Sequence, residues 1–272
     1  MSDQKQPMLA EALRAVGLFV RLEIRESWER RLVWIPGFLG LVLCLLPSAI
    51  SMLCLGKNGF ERLSKDIALQ VILYPGLAFA VYLGATIISK DFSRKTLEAV
   101  LCKPVHRMAL VLGKFLAGYL LITASQMLPA VGFLLGVRYC SPEAGWDFQV
   151  LWGALCQALA CMLVFSTCCL ASTRYSPALS GVIGSFIYIL GSLSKPFVEL
   201  ITLQDRSNTL VFSMAMAGKS VLPHYELFDL SFCVIHRVLI PDGYVAGCMV
   251  YSFCWMVFLG LMSQYALSKK DL

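Results

Sequence analysis

Ser89-Lys90-Asp91-Phe92-Ser93-Arg94-Lys95-Thr96-Leu97-Glu98-Ala99-Val100-Leu101-Cys102-Lys103-Pro104 is a short polar stretch between two long apolar segments, Ile67 to Ser89 and Met108 to Val137. Read as a helix over about 91–103, it puts Leu97, Val100 and Leu101 on one face at spacings of three and four. Arg94, Lys95 and Glu98 fall largely on the other face. Pro104 ends the helix, because proline lacks the amide proton and clashes with the preceding turn. The expectation is a rigid knob held between two membrane helices. Its apolar stripe needs a partner, and a carboxylate such as Glu98 can pair with an arginine of that partner.

The rest of the composition supports a lipid solvent. Hydrophobic residues make up 58% of the 272, above the roughly 45–50% of soluble domains. Charged residues are 15%, and the mean hydropathy is +0.73. The net charge of +6 sits at the ends of apolar spans, where membrane topology rather than nucleic acid places it. Most of the 11 cysteines lie inside apolar spans, where they act as small packing residues. Cys140 and Cys233 fall on the outer side, and an oxidising compartment would let them pair. No short charged start of a secretory signal opens the chain, so insertion is expected through the first membrane helix.

Working outward in both directions predicts an all-α membrane protein with six spans. Residues 1–31 form a cytoplasmic interfacial helix: Leu9, Leu13, Val16, Val20 and Ile24 keep helical spacing, opposite Glu11, Arg14, Arg21 and Arg25. The transmembrane domain is 32–272, with spans at about 32–55, 67–89, 108–137, 148–173, 177–194 and 243–268. Residues 56–66 read as a polar loop. Lys114, one to two turns into the third span, is expected to snorkel to the interface. The fifth span carries Gly181, Gly184 and Ser185, small residues that suit a close seam between helices or between two copies. The outer segment 195–242 reads as two or three short helices on the interface. With both termini inside, 15 of the 23 lysines and arginines lie on the inner side, as the positive-inside rule asks.

Thr96-Leu97-Glu98, then Pro104, then Gly113-Lys114-Phe115-Leu116-Ala117, resembles the first cytoplasmic loop of ABC-2-type transporter permeases. The family has glycine before Thr-Leu-Glu, where this chain has Lys95. The run from Pro223 to Leu230 and the basic ending Lys269-Lys270 are similar to the family as well. The resemblance implies that the knob is a coupling helix docking on a separate ATP-binding cassette ATPase. Asp91, Arg94, Lys95, Thr96, Leu97, Glu98, Leu101 and Pro104 would form the contact. It also implies a second permease copy, homo- or heterodimeric, in the inner membrane, with ATP and magnesium held by the partner and no cofactor by this chain.

Residues for other chemistry are few. There is no Gly-x-x-x-x-Gly-Lys-Ser/Thr run, so ATP must be bound elsewhere. Cys233 and His236 have the spacing of a ligand pair, but a pair alone makes no metal centre, and none is expected. His224, Glu226 and Asp229 could form a polar outer gate or face solvent on an amphipathic turn. An intramembrane enzyme would need paired ionisable groups inside the spans, and only Lys114 lies there. With so little charge in the spans, export of a lipidic or amphiphilic substrate is expected. The alternative is a mechanical transmission subunit that passes ATPase work to a periplasmic or membrane partner.

Overall fold

The computed structural model describes residues 5–31, 34–51, 57–90, 107–140, 147–204 and 222–268. Among these residues every regular element is helical: α1 (Lys5–Glu29), α2 (Trp34–Ser51), α3 (Lys57–Ile87), α4 (Arg107–Cys140), α5 (Gln149–Ser172), α6 (Pro177–Gln204), a 3₁₀ turn (Tyr225–Phe228), α7 (Ser231–His236) and α8 (Tyr244–Ser268). Five of them contain stretches long and apolar enough to cross a membrane: Arg62–Ile87, Val111–Tyr139, Gln149–Ser172, Pro177–Ser194 and Tyr244–Ala266. Their length follows from the bilayer, since about 20 residues at about 1.5 Å each match its hydrocarbon core. α2 carries no charged residue and packs along α4.

Helix α5 is the centre, touching α3, α4, α6 and α8. Of its apolar stretch, 89% is buried, against 22% for α6 and for α8. The sequence explains this. Apolar and small residues such as Ala154, Ala158, Cys161 and Cys168 surround α5 on all sides, and a helix apolar all round belongs inside. The outer faces of α6 and α8 instead show large apolar side chains, including Phe186, Ile189, Phe253 and Val257.

Close approach between helices depends on small residues, because lipid tails compete with apolar side chains for every contact. α2 crosses α4 where Gly40 meets Gly132; a Cβ on Gly132 would strike the Gly40 carbonyl. The fifth-span glycines pack within the chain, Gly184 against Cys168 of α5 and Gly181 near Val81 of α3. Ser185 bonds back to the Gly181 carbonyl at 2.9 Å.

Two boundaries differ from expectation. Residues 57–66 are not a loop: α3 begins at Lys57 and takes Pro75 inside it. The helical start is held from outside, because Lys65 is buried and pairs with Asp147 just before α5. α6 also runs beyond Ser194 to Gln204, so the outer segment starts as its continuation.

Candidate functional site

One end of the bundle holds the flanks of the polar loop. Residues 91–106, including Asp91, Arg94, Lys95, Thr96, Leu97, Glu98, Leu101 and Pro104, lie outside the described residues. Both sides of the loop are described, and both are tied down. On the entry side, the Lys90 ammonium donates to Glu23 and, at 2.9 Å, to Glu26, both on α1. Arg30 also reaches Glu26, at 2.8 Å. On the exit side, Gly113 of α4 lies against α1. A Cβ there would come 2.6 Å from that of Phe19 and 3.2 Å from the Val16 carbonyl.

Lys114, the next residue, corrects an expectation. It does not snorkel: it is 5% exposed and donates to the Ile87 carbonyl at 2.7 Å. The cause is the end of α3. The last carbonyls of a helix lack intrahelical partners and carry the negative end of its dipole, so a buried ammonium is stabilised there. Thus the pair Gly113-Lys114 does two jobs, contact with α1 and closure of α3. α1 itself buries Glu23 and Ser27 and leaves Leu18, Leu22 and Trp28 exposed.

At the other end, the chain returns after α6 as the 3₁₀ turn. Gly191 of α6 lets it close in: a Cβ there would lie 2.5 Å from the Tyr225 ring. α8 holds the turn from the other side. The Tyr244 hydroxyl donates to the Leu227 carbonyl at 2.8 Å, and the His224 amide donates to the Tyr251 hydroxyl at 2.9 Å. Between the turn, α3, α5 and α6 is a cavity of about 470 Å³. Its wall includes Gln70 and Tyr74 from α3, Gln157 from α5 and Tyr188 from α6. From the turn come Tyr225 and Glu226, followed by Asp229.

The expected outer-gate trio therefore splits. Glu226 and Asp229 share the cavity, whereas His224 stacks toward Tyr251 of α8, with ring centroids 6.3 Å apart. Ser194 donates to Glu226 at 3.2 Å, and Asp229 accepts from the Ser231 amide at 3.0 Å. Tyr188 and Tyr225 meet edge to face at 5.0 Å. Burial pushes the Tyr225 phenol up from its ordinary pKa, so its hydroxyl stays protonated. Neither that hydroxyl nor the Gln157 amide oxygen has a hydrogen-bond partner. Gln157 and Tyr225 are 5% and 4% exposed. No sequence pattern pointed to Gln157 or Gln70, because a lone glutamine in an apolar span has no period.

Other expected residues have local roles. Cys233 and His236 sit on α7, where the His236 ring packs on Phe232 at 4.6 Å. Among the described residues no three His, Cys, Asp or Glu side chains come together as a metal site. Cys233 is a free thiol; the side chain of Cys140 lies outside the described residues. Beside α7, Asp147 joins Lys65 and, at 4.0 Å, Arg237. The sequence model of one family, described as ABC-2 family transporter protein, matches residues 20–272. No curated protein matches the chain.

Proposed function

The chain belongs to the ABC-2 family of transporter proteins, and from that premise we propose that it is the permease subunit of a dimeric exporter whose ATPases are separate chains docking on residues 90–107. Membrane subunits of this family pair with an ATP-binding cassette ATPase. ATP and magnesium belong to that partner. The membrane is the inner one, with both termini cytoplasmic, and the cargo is lipidic or amphiphilic.

The observation that carries this reading is the fixation of both loop flanks to α1. Lys90 ties the end of α3 to Glu23 and Glu26, and Gly113 seats α4 against Phe19. A push on the loop then moves α1, α3 and α4 together instead of bending a free linker. ATP binding would draw the ATPases together, and the knob would pass that motion along α3 and α4. The middle of α3 lines the cavity through Gln70 and Tyr74. A cavity on the driven helix favours cargo handling over purely mechanical transmission.

The docking claim is tested by Leu97→Asp and Glu98→Lys. Each should lower co-purified ATPase about tenfold or more, the loss of about 1.4 kcal/mol or more of docking energy. Membrane-fraction yield of the permease should stay unchanged. Stoichiometric ATPase on both variants overturns docking at this loop.

A further inference from the structure

Helix α1 sorts its charge by sign. Glu23 and Glu26 turn inward to Lys90. Arg14, Arg21 and Arg25 lie exposed on the opposite face, where spacings of seven and four keep them in one row. Leu18 and Leu22 stand exposed beside that row, and Trp28 is exposed at its far end. Among the described residues from Arg14 onward in α1, Glu29 is the one exposed acid, and Arg25 meets it at 3.0 Å; such an exposed pair is weak in water. The other apolar row of the helix is partly taken up by the bundle. Val16, Phe19, Val20 and Ile24 are half-buried, and Gly113 of α4 lies against Phe19 and the Val16 carbonyl. Lys90 follows the end of α3, and Gly113 is near the start of α4. Both helices contain stretches long enough to cross a membrane, so α1 lies where headgroups are.

We propose that the exposed face of α1 binds anionic phospholipid headgroups in preference to zwitterionic ones. The charge is complementary: guanidinium forks take phosphate oxygens in pairs, and an anionic leaflet attracts basic side chains near its surface. A zwitterionic headgroup offers the same phosphate without the net charge. The leucines decide between a lipid surface and an acidic patch on a partner chain. Leu18 and Leu22 interleave with the arginines, and a helix on a membrane buries such side chains at the boundary between headgroups and acyl chains. Tryptophan is enriched at that same depth. The two faces of α1 then act together. Glu23 and Glu26 hold Lys90 from one side, so lipid that fixes the other side also fixes the entry to the polar loop.

The test uses the full chain alone in neutral detergent, without ATPase. Short-chain phosphatidylglycerol or phosphatidylcholine is titrated in, and bound lipids are counted by native mass spectrometry. The first phosphatidylglycerol should bind about tenfold tighter or more than the first phosphatidylcholine. Arg14→Gln, Arg21→Gln and Arg25→Gln combined should bring the two affinities together. The matching triple lysine variant should keep the preference, because it keeps the charge. Arg174→Gln, at an exposed arginine elsewhere on the chain, should change nothing. Excess glycerol phosphate should not displace the lipid; displacement would mean that the face takes phosphate without a membrane. Equal affinity of the native chain for both lipids overturns the proposal, as does a preference that survives the triple glutamine variant or falls equally with Arg174→Gln. If the triple glutamine variant keeps the preference but loses co-purified ATPase, the face belongs to the partner chain instead. Lipid binding needs neither export nor docking at the loop, so the Leu97 and Glu98 variants can fail while this claim stands, and the reverse.

Discussion

Lys90 holds two carboxylates of α1, and one of them, Glu23, is nearly buried. Removing one partner of such a pair leaves an uncompensated charge, at about 3–5 kcal/mol when burial is complete. Lys90 keeps 16% of its side chain exposed, so the cost should fall below that range. Lys90→Met is expected to destabilise the detergent-solubilised protein by about 1–3 kcal/mol, and Glu23→Gln added to it should restore part of the loss. A double-mutant cycle on thermal unfolding gives the coupling; additive effects would mean that the contact holds nothing. None of this was legible in the sequence. Glu23 and Lys90 lie 67 residues apart, and periodicity ranks positions on one helix without naming partners on another. Lys114 was visible as a lysine inside a span, but its depth alone did not distinguish snorkelling from closure of a neighbouring helix end. The knob is an expectation from the helical spacing of Leu97, Val100 and Leu101 before Pro104, in a stretch that lies outside the described residues.

At the scale of elements, apolar length predicts the long helices closely in two places. The helix expected over 148–173 is Gln149–Ser172, and the one expected over 243–268 is Tyr244–Ser268. The misses fall where a helix continues into polar sequence. α3 reaches back to Lys57 because Lys65 finds Asp147, a tertiary effect that hydropathy does not contain. Contacts between helices are legible only as small residues, without their partners. Gly184 reads as a seam in the sequence, and in the structure it seats α6 on Cys168. The same physics predicts opposite outcomes for two glycines. Gly132→Leu must push α2 off the Gly40 carbonyl, and should destabilise by about 1–3 kcal/mol. Gly247→Ala on α8, where no atom lies within 4 Å of the added carbon, should leave stability unchanged. Thermal midpoints of the two variants in one detergent make the comparison, and equal midpoints would remove the claim that Gly132 sets the α2–α4 contact.

The bundle carries an ionic cluster toward each end of the apolar part of α3. From Lys65 to Ile87 that helix rises about 33 Å, slightly more than the roughly 30 Å hydrocarbon core. Lys65, Asp147 and Arg237 therefore stand at one membrane face, and Lys90, Glu23 and Glu26 at the other. The proposed docking requires the second face to be the cytoplasmic one, the side on which the positive-inside rule expects the greater share of lysine and arginine. Cysteines placed at Arg174, exposed in the turn between α5 and α6, and at Asp242, exposed before α8, report the two faces. In a Cys140→Ser, Cys233→Ser background, a membrane-impermeant maleimide on intact spheroplasts should label Asp242→Cys. Arg174→Cys should be labelled only after permeabilisation. The inverse pattern would point the knob outward, and ATPase docking at residues 90–107 would then be impossible.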